Sequence, residues 1–182
     1  MSASPVKTLS MTLAAEALDG AGFAGFGSVL AAGDAPGTPV NEGRGVRIDL
    51  ATGLVHDTPA SQPSFAVYRM QASHWPVPVR LMERHPHSAQ MFVPMTGGDY
   101  LVVVAPGDAN GGPDMASARA FVGRRGEGVI YAPGVWHLPM VALGEPADFA
   151  MLMWETGDPA ADCEVLEFAA PMLVAGPDSG TP

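Results

Sequence analysis

Short apolar segments broken by turn residues dominate the pattern along this chain. "FAVYRM" (65–70) and "PVRLMERH" (78–85) partly alternate apolar and polar positions, as strands with one wet face do. "YLVVVA" (100–105) is apolar throughout and reads as a strand covered on both faces. Further strand-like segments are "RGVRIDLA", "QMFVPM", "ARAFVGR", "GVIYAP", "HLPMVAL" and "DFAMLMWE". "MTLAAEALDG" begins with good helix formers and closes on Gly20 and Gly22, which predicts a short helix from Thr12 to Leu18. "GSVLAAGDAPGTPVNEGRG" reads as a surface loop, and "DANGGPDMASA" (108–118) as an exposed loop. Many short strands with Gly/Pro turns predict a sandwich, jelly roll or barrel. The expected organisation is an N-terminal tail or edge strand (1–10), one domain (11–168) and a C-terminal tail (169–182).

Composition sharpens this picture. The 182 residues suffice for one domain with a real core, and 22 Gly with 18 Pro argue against long helices. The formal net charge of -10 makes nucleic acid a poor partner. Lys7 is the one lysine among nine basic residues, so positive charge comes almost wholly as arginine forks, which suit a carboxylate. The single Cys163 excludes an intrachain disulfide and a cysteine-based zinc site. No apolar run approaches the roughly 20 residues of a membrane span, and the N-terminus lacks the order of a signal peptide. A cytoplasmic protein with no membrane partner is the expectation.

One segment stands out against this apolar background. "LMERHPHSAQMFVPMTGG" (81–98) places Glu83, Arg84, His85, His87 and Gln90 between two apolar runs. Residues two apart in a strand share a face, so Glu83 and His85 point together and Arg84 points away. Inside a barrel such groups must be paired, metal-bound or protonated. A second segment, "GEGVIYAPGVWHLP" (126–139), carries His137 three residues after the turn at Gly134. Two strands, each with a histidine near a barrel mouth, converge naturally on one ligand or metal. The structural alternative for His137 is a ring bonded to a backbone carbonyl. For Glu83 it is an ion pair at the rim.

Both segments resemble the two motifs of the cupin superfamily: Glu83-x-His85, four residues, Gln90, six residues, Gly97; then Gly126, seven residues, Gly134, two residues, His137. Glu83 stands where a first His is usual, and Gln90 where a Glu is usual. Taken with "GFAGFGSVL", "VNEGRGVRIDL", "FAVYRM" and "LVVVAPG", they look like the ureidoglycolate lyase family over about residues 12 to 168. The resemblance implies an all-β, cupin-type double-stranded β-helix or jelly-roll barrel with one or two short helices.

It also implies a carbon–nitrogen lyase of purine and allantoin breakdown that splits ureidoglycolate into glyoxylate and urea. On that reading His85 and His137 frame the reacting carbon, with Glu83 as base or metal ligand. Gln90 donates to the substrate. Arg69, or failing it Arg84, holds the carboxylate. Asn41 lies near the site, and Trp136 forms a wall. Glu83, His85, Gln90 and His137 are the residues for one divalent ion (Mn, Ni, Zn or Fe), with a metal-free site equally open. The expected partners are a small carboxylate substrate and a second copy of the chain. A metal-dependent isomerase or dioxygenase, or a non-enzymatic carboxylate-binding cupin, are the rival readings.

Overall fold

The computed structural model describes residues 12–50 and 53–177. The strands are β1 (Thr12–Ala17), β2 (Gly27–Leu30), β3 (Thr38–Val40), β4 (Gly45–Arg47) and β5 (Gln62–Met70). After them come β6 (Ala72–Ser73), β7 (Val77–Arg84), β8 (Gln90–Pro94), β9 (Tyr100–Ala105) and β10 (Arg119–Gly123). The chain continues with β11 (Gly128–Tyr131), β12 (Trp136–His137), β13 (Val141–Leu143), β14 (Ala147–Glu155) and β15 (Glu164–Ala175). Two one-turn helices, α1 (Gly20–Phe23) and α2 (Pro159–Asp162), join them. The fold is an all-β barrel.

The larger sheet runs β10-β1-β15-β7-β12-β9-β13-β6, and β10 also pairs with β9, which closes a ring. The second sheet, β2-β11-β8-β14-β5, packs across it. β9 explains why two cores exist. Tyr100, Val102 and Val104 pack between the sheets with Phe92, Val129, Tyr131 and Phe149. Leu101, Val103 and Ala105 pack on the other side with Val79, Met82, Trp136 and Val174. A strand covered on both faces needs no polar positions, and all six residues of β9 are buried.

Three expectations are corrected. The helix predicted over Thr12–Leu18 is strand β1, paired in parallel with β15 and β10. Ladder bonds on two sides outweigh the modest helix preference of "LAAEAL". The helix itself is the single turn that follows, capped by Asp19, whose Oδ1 accepts from the Gly22 amide at 2.8 Å. The supposed tail from 169 is strand through Ala175, and only 178–182 lie outside the described residues, as does the expected segment 1–10. Phe168–Pro171 form an irregular stretch between two registers with β7; Pro171, which cannot donate to a ladder, sits in it. The surface loop predicted over 27–45 contains β2 and the hairpin of β3 with β4. Among the described residues no helix is long and apolar enough to cross a membrane.

Candidate active site

The site sits at one end of the space between the sheets. β12 lies between β7 and β9, and His137 is registered directly against Glu83. β7 ends at Arg84, so the chain turns at Pro86 just after His85. Gln90 opens β8 and pairs with Tyr131 and Met153. Glu83, His85 and His137 each offer a ligand atom, and these atoms lie within 4.8 Å of one another. His137 is 1% exposed and the Glu83 side chain 22%.

Both histidines have their proton placed by the backbone. His85 Nδ1 lies 2.7 Å from the Asp162 carbonyl oxygen, and His137 Nδ1 lies 3.0 Å from that of Val135. A carbonyl only accepts, so each Nδ1 carries a hydrogen, and each Nε2 presents a lone pair whenever its ring is neutral. The carbonyl-bound ring foreseen as the structural alternative for His137 is therefore compatible with a functional Nε2. Both Nε2 atoms, Gln90 Oε1 and the Tyr131 hydroxyl are buried without a hydrogen-bond partner. Tyr131 stacks its ring on His137 at 4.1 Å and 7°, fixing the imidazole plane.

Ligand atoms of Glu83, His85 and His137 therefore crowd one point. Glu83 Oε1 is 3.5 Å from His137 Nε2, a loose electrostatic contact rather than a well-made hydrogen bond. Burial pushes the Glu83 carboxyl up, but His137 and then His85 pull it further down, leaving it below its usual range. Burial, then the His137 charge, holds the His85 pKa below its usual value. An ionised carboxylate beside lone pairs, in a dry place, is a donor set for a cation.

The triad opens onto a cavity of about 280 Å³ lined by Tyr68, Glu83, His85, Gln90, Met153, Glu155, Gly157, Pro159, Asp162 and Cys163. No lysine or arginine is among these lining residues. Burial, then the charges of Glu83 and Glu155, raises the Tyr68 hydroxyl, which keeps its proton at neutral pH. Burial, then nearby carboxylates, pushes the Cys163 thiol up to about 11.

Several residues expected at the site lie elsewhere. Arg69 points out from the second sheet and pairs with Asp148, its Nε 2.9 Å from Oδ1. Odd positions of β5 face outward, which puts Tyr68 rather than Arg69 in the cavity. Arg84 faces away from His85, bonded to Glu164 at 2.6 Å and lying over the Trp136 ring. Trp136 packs in the other core, because its neighbour His137 takes the site-facing side of β12. Asn41 is exposed in the hairpin, with φ at 52°. His87, which follows Pro86, is turned out to Asp57, its Nδ1 3.0 Å from Oδ1. His56 stacks on Trp154 at 4.1 Å.

Sequence reasoning missed Tyr68, Tyr131, Met153, Glu155, Asp162 and Cys163. A signal for the first existed: Ala66, Tyr68 and Met70 alternate on one face of β5.

A family model described as ureidoglycolate lyase matches residues 10–175. The chain belongs to the ureidoglycolate lyase family. Similar proteins include the ureidoglycolate lyase of Burkholderia mallei (strain NCTC 10229), 43% identical over 142 residues, covering 78% of this chain and 81% of that one. That of Burkholderia cepacia is 39% identical over 155 residues, 84% of each chain. That of Schizosaccharomyces pombe is 35% identical over 113 residues, 60% of this chain and 59% of the other. Among solved structures, RmlC from Streptococcus suis aligns at TM-score 0.38 and 12% identity, covering 55% of this chain and 46% of that one. An oxalate decarboxylase from Lactobacillus farciminis aligns at TM-score 0.40 and 17% identity, covering 62% of this chain and 33% of the other.

Proposed function

We propose that this chain cleaves ureidoglycolate to glyoxylate and urea, using a divalent cation held by Glu83, His85 and His137 with Gln90 Oε1 beside them. The observation that carries the reading, in a member of this family, is that ligand atoms of Glu83, His85 and His137 lie within 4.8 Å of one another, with both imidazole Nε2 atoms and Gln90 Oε1 buried and unpartnered. The donor set, nitrogen and oxygen without thiolate, suits Mn, Fe, Ni or Zn. The substrate adds a further reason. A carboxylate entering a cavity whose lining includes Glu83, Glu155 and Asp162, and no lysine or arginine, needs a positive partner.

Ureidoglycolate is a hemiaminal. Its hydroxyl proton must leave, the C–O bond become C=O, and the C–N electron pair depart with nitrogen, which takes up a proton. The bound cation would offset the carboxylate charge and acidify the hydroxyl. Glu83, one of the residues that would hold the cation, is the carboxylate placed to take the hydroxyl proton and return it to the departing nitrogen. No net proton is consumed. Gln90, within the same cavity, orients the ureido group through its carboxamide. Tyr131 and the two carbonyls hold the imidazoles still, so that no reorganisation is needed during the reaction.

Urea release from racemic ureidoglycolate tests this, corrected for spontaneous decay and measured on chelated protein and after reloading with Mn, Fe, Ni or Zn. Loss on chelation and recovery with one of these ions is expected. Glu83→Gln is expected to lower turnover by about 10²–10⁴-fold, the usual share of a general base. Full activity in both His85→Ala and His137→Ala would remove the proposed roles.

We further propose a cytoplasmic homodimer. Phe65 (70% exposed) and Val67 (54%) stand on edge strand β5 with nothing over them among the described residues. A second copy laid there would cover both. Sedimentation of the wild type against Phe65→Glu checks this; an unchanged monomer in both ends it.

A further inference from the structure

α2 and the loop before it form one wall of the cavity, and a single side chain ties them together. The Asp162 carboxylate accepts from the Thr156 amide at 2.8 Å (Oδ1) and 3.0 Å (Oδ2), the Thr156 hydroxyl at 2.8 Å and the Gly157 amide at 3.2 Å. Asp158 caps the same turn, its Oδ1 accepting from the Ala160 amide at 3.1 Å, with Pro159 opening the helix. The main-chain carbonyl of this same Asp162 accepts from His85 Nδ1 at 2.7 Å. Asp162 thus sets the loop with its side chain and the imidazole with its backbone. β7 and the 156–162 loop are far apart in sequence, and among the described residues this carbonyl is the hydrogen-bond partner the structure shows for the His85 ring.

We infer that Asp162 is a positioning residue: its carboxylate locks the 156–162 turn so that its own carbonyl fixes the tautomer and orientation of His85. The kinetic arm of the test rests on the lyase reading above; the spectroscopic arm does not. A histidine whose outer nitrogen is held by a carbonyl keeps one tautomer, and losing such a partner typically costs about 10–100-fold in activity or metal affinity. Asp162→Ala removes all the carboxylate contacts while leaving a backbone carbonyl in a loosened turn. Asp162→Asn keeps one acceptor oxygen and replaces the other by a donor facing the loop amides.

Long-range ¹H–¹⁵N spectra of the histidine rings, recorded on chelated protein without substrate at one pH, read the tautomer directly. The wild type is expected to show His85 with Nδ1 protonated and Nε2 bare. In Asp162→Ala the two His85 nitrogen shifts should move toward each other as the tautomers mix, with His137 unmoved. Asp162→Asn should fall between. The turnover number should drop about 10–100-fold with KM changed far less. Should Asp162→Ala fail to fold, Thr156→Val, which removes only the hydroxyl contact, should move the His85 signals part of the way. A folded Asp162→Ala protein with wild-type His85 shifts overturns the assignment, as does an unmoved His85 in Thr156→Val when the alanine variant does not fold. Altered shifts with no urea release from the wild type would instead overturn the lyase reading and leave the positioning role standing.

Discussion

Replacing Tyr131 by Phe removes one oxygen atom and nothing else from the wall behind His137. The ring is 2% exposed and stacks on the imidazole at 4.1 Å, a contact that Phe retains. The hydroxyl it loses is buried without a hydrogen-bond partner. Burial, before any other influence, raises its pKa well above 10, so it stays protonated at any working pH. An unpaired buried hydroxyl costs about 1–3 kcal/mol relative to a paired one. Tyr131→Phe is therefore expected to stabilise the metal-free protein by about 1–2 kcal/mol. At about 2–4 °C per kcal/mol for a domain of this size, the thermal midpoint should rise by roughly 2–8 °C. Urea unfolding should show a higher midpoint at unchanged m. Catalysis should persist, because the stacked ring rather than the oxygen holds His137. A lower midpoint at unchanged m would refute the reasoning. It would show that the hydroxyl has an acceptor in the site, so that the polar atoms there already satisfy one another and the case for a cation weakens.

The remaining predictions concern pH and placement. Burial depresses the His85 pKa, so as pH falls below the ordinary 6.5 the unfolded chain takes up a proton the folded chain refuses. Stability of the chelated protein should thus decline from about pH 7.5 to about pH 5.5, and less steeply in His85→Gln; equal urea-midpoint slopes would contradict the burial account. Arg69→Ala should leave KM for ureidoglycolate unchanged, since Arg69 is spent on Asp148 outside the cavity; a large rise in KM would return it to the site. Gly123→Ala should cost about 1–3 kcal/mol by thermal melting, because an added Cβ would collide with the Tyr100 ring; a neutral result would show that the core there yields.

The fold and half of the site were legible in the chain for physical reasons. Period-two alternation marks half-buried strands, and the unbroken "YLVVVA" marked the strand that separates two cores. Glu83 and His85 were readable because two-residue spacing puts them on one face of a strand. His137 was readable because a turn glycine sets where the next strand starts. Those inferences use only local geometry. The misplaced arginines show where such geometry stops. Arg84 was correctly turned away from His85, yet nothing local says that Glu164 and Trp136 await it. Arg69 looked available until β14 brought Asp148 beside it.

By itself, then, the sequence determined a β-rich domain, the polar segments that carry its chemistry and the faces those residues take. Tertiary structure alone decided that "LAAEAL" is a strand, because ladder bonds from β10 and β15 exceed a few tenths of a kcal/mol of helix preference per residue. It alone decided that the cavity wall includes Tyr68, Glu155 and Asp162, and that each imidazole donates to a carbonyl. His85 and Asp162 lie 77 positions apart. Contacts across such a separation depend on how the sheets close, and no periodicity along the chain encodes that closure.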